Sequence, residues 1–129
     1  MQFLWIGLGG FLGANARYLV QRGFAAWLGA GFPYGTLVAN VSGSFIIALF
    51  MTLATGRIAV SPEVRLFVAV GFLGGFTTFS SFSLETFTLF NQAGWWPASL
   101  YFFGNTVLGL LGVVLGVALA QWLQGVGGT

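Results

Sequence analysis

The chain has 129 residues, 57% hydrophobic and only 5% charged, the charge residing in four arginines and two glutamates. A soluble domain carries about 25% charged residues, so the composition points to an integral membrane protein. Without histidine, cysteine or aspartate, and without a basic cluster, it leaves no catalytic triad, transition-metal ligand set or nucleic-acid surface.

A membrane-spanning helix needs about 20 mostly apolar residues. Four segments qualify, at about 3–27, 34–55, 63–90 and 97–123, and together they make one transmembrane domain over 1–129. The first begins Met-Gln-Phe-Leu-Trp, with no basic residues ahead of the apolar stretch, and is expected to stay in the membrane. It carries Gly9 and Gly13 on one face, a spacing that permits close helix approach. Arg17 is the one basic residue well inside a span. It either snorkels to an interface or draws anions into a wet vestibule.

The second span follows Pro33 and places Asn40 and Ser44 four residues apart, on one face. An asparagine amide offers two N–H donors, suited to an anion, and a carbonyl suited to a cation or an interhelical bond. The fourth span repeats the spacing with Tyr101 and Asn105, and carries Gly109, Gly112 and Gly116. Trp5, Trp27, Trp95, Trp96 and Trp122 all fall near span ends, as an interfacial aromatic belt requires.

The third span is the most informative. It is longer than one straight crossing needs. Its middle reads Gly71-Phe-Leu-Gly-Gly-Phe-Thr-Thr-Phe-Ser-Ser-Phe-Ser83. Glycines and hydroxyl side chains weaken a helix where lipid offers no replacement hydrogen bonds, and such backbone is tolerated only when buried in protein or lining a cavity. A break near Gly74 to Thr78 is therefore expected. Beyond it, Thr78, Ser81 and Glu85 form a polar stripe at i, i+3, i+7, with Ser80 and Ser83 alongside. The bland alternative is that each hydroxyl bonds back to the carbonyl four residues before it. Phe79 and Phe82 share a side, and the positive edges of their rings suit a small anion, although simple packing is the default in a chain with 15 phenylalanines. Glu85 is an intramembrane acid, which marks function by default.

Four spans put Arg57 and Arg65 on one side of the membrane and Arg17 and Arg22 on the other. That balance gives almost no preferred orientation, so insertion both ways up and an antiparallel homodimer are permitted. The fold expected is an all-α membrane protein of four transmembrane helices, the third broken mid-membrane.

These residues resemble the signature of the CrcB/Fluc fluoride channels. The resemblance rests on Gly35-Thr-Leu-Val-Ala-Asn40-Val-Ser-Gly43, on the run from Gly71 to Ser83, and on Gly9-Gly-Phe-Leu-Gly13 through Arg17-Tyr18. It implies a passive channel that exports cytoplasmic fluoride across a bacterial plasma membrane, built as an antiparallel dual-topology homodimer. It further implies an anion pathway along Asn40, Thr78, Phe79, Ser80, Ser81, Phe82 and Glu85, which Tyr101 and Asn105 would extend, with Arg17 at the vestibule. A structural sodium ion is implied on the backbone carbonyls of Gly74 and Thr77. Phe76 and Ser81 depart mildly from the family pattern, where leucine and threonine are commoner. The competing reading is a small four-helix proton-coupled multidrug exporter using Glu85; such proteins keep their acid in the first helix, which has none here.

Overall fold

The computed structural model describes residues 1–56 and 58–126. Arg57, placed by sequence in the connection after the second span, lies outside the described residues. The described residues are helical throughout, joined by short turns.

Helix α1 (Gln2–Leu28) ends at Gly29, whose φ of 85° is a left-handed conformation that glycine adopts without steric cost; its N–H closes on the Ala25 carbonyl. Helix α2 (Tyr34–Ala54) follows Pro33. Its last carbonyl, on Ala54, accepts from Arg65 Nη2 at 2.8 Å, a cation on the negative end of a helix. Ser61 then caps the next helix, its Oγ accepting from the Val64 N–H, with Pro62 at the first helical position.

Helix α3 (62–76) begins α-helically at Pro62–Arg65, widens into π-helical turns over Leu66–Leu73 and closes with Gly74–Phe76. The backbone then leaves the helix. Thr77 (φ −89°, ψ 157°) and Thr78 (φ −152°, ψ 126°) are extended, and α4 (Phe79–Ala93) starts afresh. The break expected from the glycines and threonines falls at their C-terminal edge. Helix α5 (Trp95–Val126) follows and contains a second π-helical stretch at Gly104–Leu108. The turn before it is tighter than the 91–97 connection expected from sequence. Gly94 alone, at φ 93°, reverses the chain, and Pro97 fits inside the first turn of α5, where no intrahelical N–H is needed.

The packing is inverted relative to a water-soluble bundle. Small residues such as Gly9, Gly13, Ala39, Gly43, Gly112 and Gly116 are buried. Large apolar ones, among them Phe3, Phe11, Phe87 and Leu110, face outward. That arrangement suits a lipid surround, where bringing backbones together favours association. The glycine faces, whose partners the sequence left open, meet within one chain. A side chain at Gly13 would run into the Phe72 carbonyl of α3, and a Cβ at Gly116 would lie 2.5 Å from the Phe45 carbonyl of α2. Trp27, Trp95, Trp96 and Trp122 stand exposed near helix ends.

Tyr34–Ala54, Pro62–Ala93 and Trp95–Val126 are long and apolar enough to cross a membrane. Helix α1 is also long, but its second half carries Asn15, Arg17, Gln21 and Arg22.

Because Gly13 is pressed against α3 backbone while Gly23 has open space around it, the two positions should respond differently to bulk. Gly13→Leu is expected to lower the thermal midpoint in detergent sharply, overpacking costing about 1–3 kcal/mol or more. Gly23→Leu is expected to leave it near wild type.

Candidate functional site at the helix break

Leaving the helix frees backbone groups that must find partners inside the protein. Asn40 supplies them for Thr78. Its Oδ1 accepts from the Thr78 N–H at 2.8 Å, and its Nδ2 donates to the Thr78 carbonyl at 3.1 Å. The same Nδ2 donates to Asn105 Oδ1 at 2.9 Å, and Asn105 Nδ2 donates to the Tyr101 carbonyl at 3.0 Å. One amide on α2 thus clamps the break and ties it to α5. Thr78 restarts the helix, its Oγ1 accepting from the Ser81 N–H at 3.1 Å.

On the α3 side, the Leu73 carbonyl accepts from both the N–H and the hydroxyl of Thr77, at 3.0 and 2.9 Å. The Gly75 carbonyl accepts from Arg17 Nε at 3.0 Å. Arg17 is therefore turned onto the broken helix end, where orphan carbonyls favour a cation. Among the described residues, no donor reaches the carbonyls of Gly74 and Thr77.

The break opens on a cleft of about 520 Å³, whose lining includes Asn40, Gly74, Thr77, Thr78, Phe79, Phe82 and Asn105. The two phenylalanines meet edge-on, with centroids 5.7 Å apart and planes at 63°. They differ in support. Phe82 is only 8% exposed and stacks on Phe102, while Phe79 is 80% exposed. The cleft wall is uncharged: its polar groups are amides, hydroxyls and backbone.

Glu85 belongs to a second cluster. Its Oε2 accepts from the buried Tyr101 hydroxyl at 2.6 Å and its Oε1 from the Thr36 hydroxyl at 3.0 Å. Gln21 Nε2 donates in turn to Thr36 Oγ1 at 3.0 Å. The carboxylate lines a separate pocket of about 290 Å³ with Gln21, Tyr34 and Thr36.

The stripe expected from Thr78 through Ser81 to Glu85 is therefore divided. Thr78 faces the cleft, Glu85 faces the second pocket, and Ser81 is half-buried between. Ser80 is exposed, its Oγ 3.5 Å from that of Thr78, and Ser83 lies on an outer surface. Ser44 bonds back to the Asn40 carbonyl at 2.7 Å, the bland outcome for a helical hydroxyl. Tyr101 and Asn105 both join the network, but the Tyr101 side chain serves Glu85. Gln21 and Thr36 were not singled out from sequence. The available signal was spacing, since Gln21 follows Arg17 by four residues and Thr36 precedes Asn40 by four.

Fold and site together define a small α-helical membrane protein with its polar groups gathered inside the bundle and an uncharged cleft at a helix break. Residues 4–117 match the family described as CrcB-like protein, Camphor Resistance (CrcB). The chain is 46% identical to the fluoride-specific ion channel FluC of Roseiflexus sp. (strain RS-1) over 95% of its own length and 99% of that protein's. It is likewise 46% identical to FluC of Solibacter usitatus (strain Ellin6076), over 94% and 99% of the two chains. Against FluC of Chloroflexus aurantiacus (strain ATCC 29366 / DSM 635 / J-10-fl) identity is 43%, over 95% and 97%. The chain belongs to the CrcB family.

The Asn40 clamp has a direct test. Asn40→Ala leaves a backbone N–H without its partner, at a cost of about 1–3 kcal/mol. Amide exchange at Thr78 is expected to accelerate in that variant, with Ser81, capped independently by Thr78, affected less.

Proposed function

We propose that this chain is a fluoride-selective passive channel that exports cytoplasmic fluoride down its electrochemical gradient. The observation that carries the reading is the uncharged cleft at the break, where amide and hydroxyl groups converge beside the paired Phe79 and Phe82 rings. The family's curated members named above are fluoride-specific channels, which supports the same substrate.

A fluoride ion leaves its tight hydration shell only where several donors replace it together. Asn40, Thr78 and Asn105, with the positive ring edges of Phe79 and Phe82, are suited to that exchange. Ser80 and Ser81 would continue the path beyond the rings, and Glu85 and Tyr101 would border it past Phe82. Because Asn40 already holds the break, an anion would share its N–H groups with Thr78 and Asn105. Passive exit is sufficient: one charge crossing ~100 mV is worth roughly 2.3 kcal/mol, enough to hold the internal anion ~50-fold below the external.

Four crossings follow if α1 spans as well. Its main obstacle is the charge of Arg17, and that charge is engaged by the Gly75 carbonyl. With Arg57 and Arg65 on one side and Arg17 and Arg22 on the other, dual insertion and an antiparallel homodimer are the expected assembly in a bacterial plasma membrane. The exposed Phe79 and the open cleft would then be covered by the second copy. The carbonyls of Gly74 and Thr77 fit a sodium ion by chemistry, being hard oxygen donors free of hydrogen bonds. Two copies would offer four such oxygens, and a bound sodium would supply positive charge at the break. A proton-coupled exporter working through Glu85 is not favoured, because both carboxylate oxygens already accept hydroxyl bonds.

Liposomes containing the purified protein are expected to pass fluoride electrogenically and to hold back chloride; equal chloride flux, or none of either, would sink the reading. Phe79→Ile and Phe82→Ile are each expected to slow fluoride flux by about tenfold, the order of an aromatic-specific contact, with the dimer intact by light scattering. Tags on either terminus are expected to be reachable from both faces of the membrane, and labelling from one face alone would reject dual insertion.

A further inference from the structure

Several helical serines and threonines in this chain bond back along their own helix. Ser42, Ser44, Thr86 and Thr106 each donate to the carbonyl four residues before them. Thr36 does not. It is 1% exposed, sits in the first turn of α2, and sends its hydroxyl hydrogen across to Glu85 Oε1 on α4. A hydroxyl has a single hydrogen and two acceptor lone pairs. A donor to its oxygen therefore narrows the directions that hydrogen can take.

Here the donor is Gln21 Nε2, at 3.0 Å. The approach is enforced by backbone packing. Gly35, the residue before Thr36, lies so close to α1 that any side chain there would strike the Gln21 backbone. Gln21 is thereby held against the first turn of α2 and occupies the Thr36 oxygen from the α1 side. The hydrogen is left to face Glu85.

We propose that Gln21 is a positioning residue for the Glu85 carboxylate, acting through the Thr36 hydroxyl. Thr36 and Tyr101 hold one carboxylate oxygen each, turning the negative charge into the pocket between α1, α2 and α4 and away from the cleft that contains Asn40 and Phe79. Without the Gln21 bond, the Thr36 hydroxyl is no longer held from the α1 side and is free to turn away from Glu85. Tyr101 alone then restrains the carboxylate, and its charge opposes an anion nearby. The consequence for flux rests on the channel reading above; the positioning of Glu85 does not.

The test pairs flux with a spectroscopic readout on Gln21→Met, Thr36→Val and the double variant. The Glu85 carboxylate stretch is assigned by infrared difference against Glu85→Gln. Gln21→Met is expected to shift that band and to lower fluoride flux about fivefold, the factor for one net hydrogen bond. In the Thr36→Val background, adding Gln21→Met is expected to change neither. Gln21→Glu keeps the shape but replaces the donor with an acceptor; it is expected to move the band as well, and it carries the test if Gln21→Met does not fold. A wild-type band in both Gln21 variants, or a Gln21 effect that persists without the Thr36 hydroxyl, overturns the proposal. If wild-type liposomes pass no fluoride, the channel reading falls and the infrared band alone decides the role of Gln21.

Discussion

The structure depends on one constraint. A backbone that leaves the helix among apolar neighbours must have its N–H and C=O groups satisfied from within the protein. Thr77 and Thr78 leave the helix, and the Asn40 amide meets Thr78 on both sides, accepting at 2.8 Å and donating at 3.1 Å. An asparagine is suited to this because it carries donor and acceptor on one planar group and so mimics a neighbouring strand. Carbonyls on the other side of the break are treated unequally. Leu73 and Gly75 find protein donors, while Gly74 and Thr77 are left as bare oxygens beside the cleft.

Packing makes that clamp reachable. Gly112 and Gly116 let α5 press against the α2 backbone near Val41 and Phe45, and this brings Asn105 within 2.9 Å of Asn40. Gly9, Gly13 and Gly71 do the same for α1 and α3, so that Arg17 reaches Gly75. With small side chains facing inward, the bundle interior is mostly backbone and polar groups. The large apolar residues are left on the outside, where lipid or a second copy can meet them.

Charge is handled locally. Arg17 is answered by a carbonyl at a helix end and Glu85 by two hydroxyls. The cleft is consequently lined by dipoles, with neither formal charge on its wall. A full positive charge would hold an anion too firmly and a negative one would exclude it. In the channel proposed above, conduction would need binding strong enough for entry and weak enough for exit, a range that dipoles would suit.

Membrane class and the position of the break were legible in the sequence, because each follows from composition over one or two turns. A charge deficit, tryptophans at span ends, and glycines beside threonines act on their own neighbourhoods. The amides of Asn40 and Asn105 stood out as polar groups in apolar runs, but their partners did not. Asn40 and Asn105 are 65 residues apart, and Arg17 and Gly75 are 58 apart. Those pairings exist only once glycine faces have set which helices touch. Tertiary structure alone turned Glu85 out of the Thr78 stripe, joined it to Thr36 and Tyr101, and brought Gln21 into the network. The physical reason is that a hydroxyl or carboxylate has several bonding choices along its own helix, and only the neighbour that packing delivers selects among them.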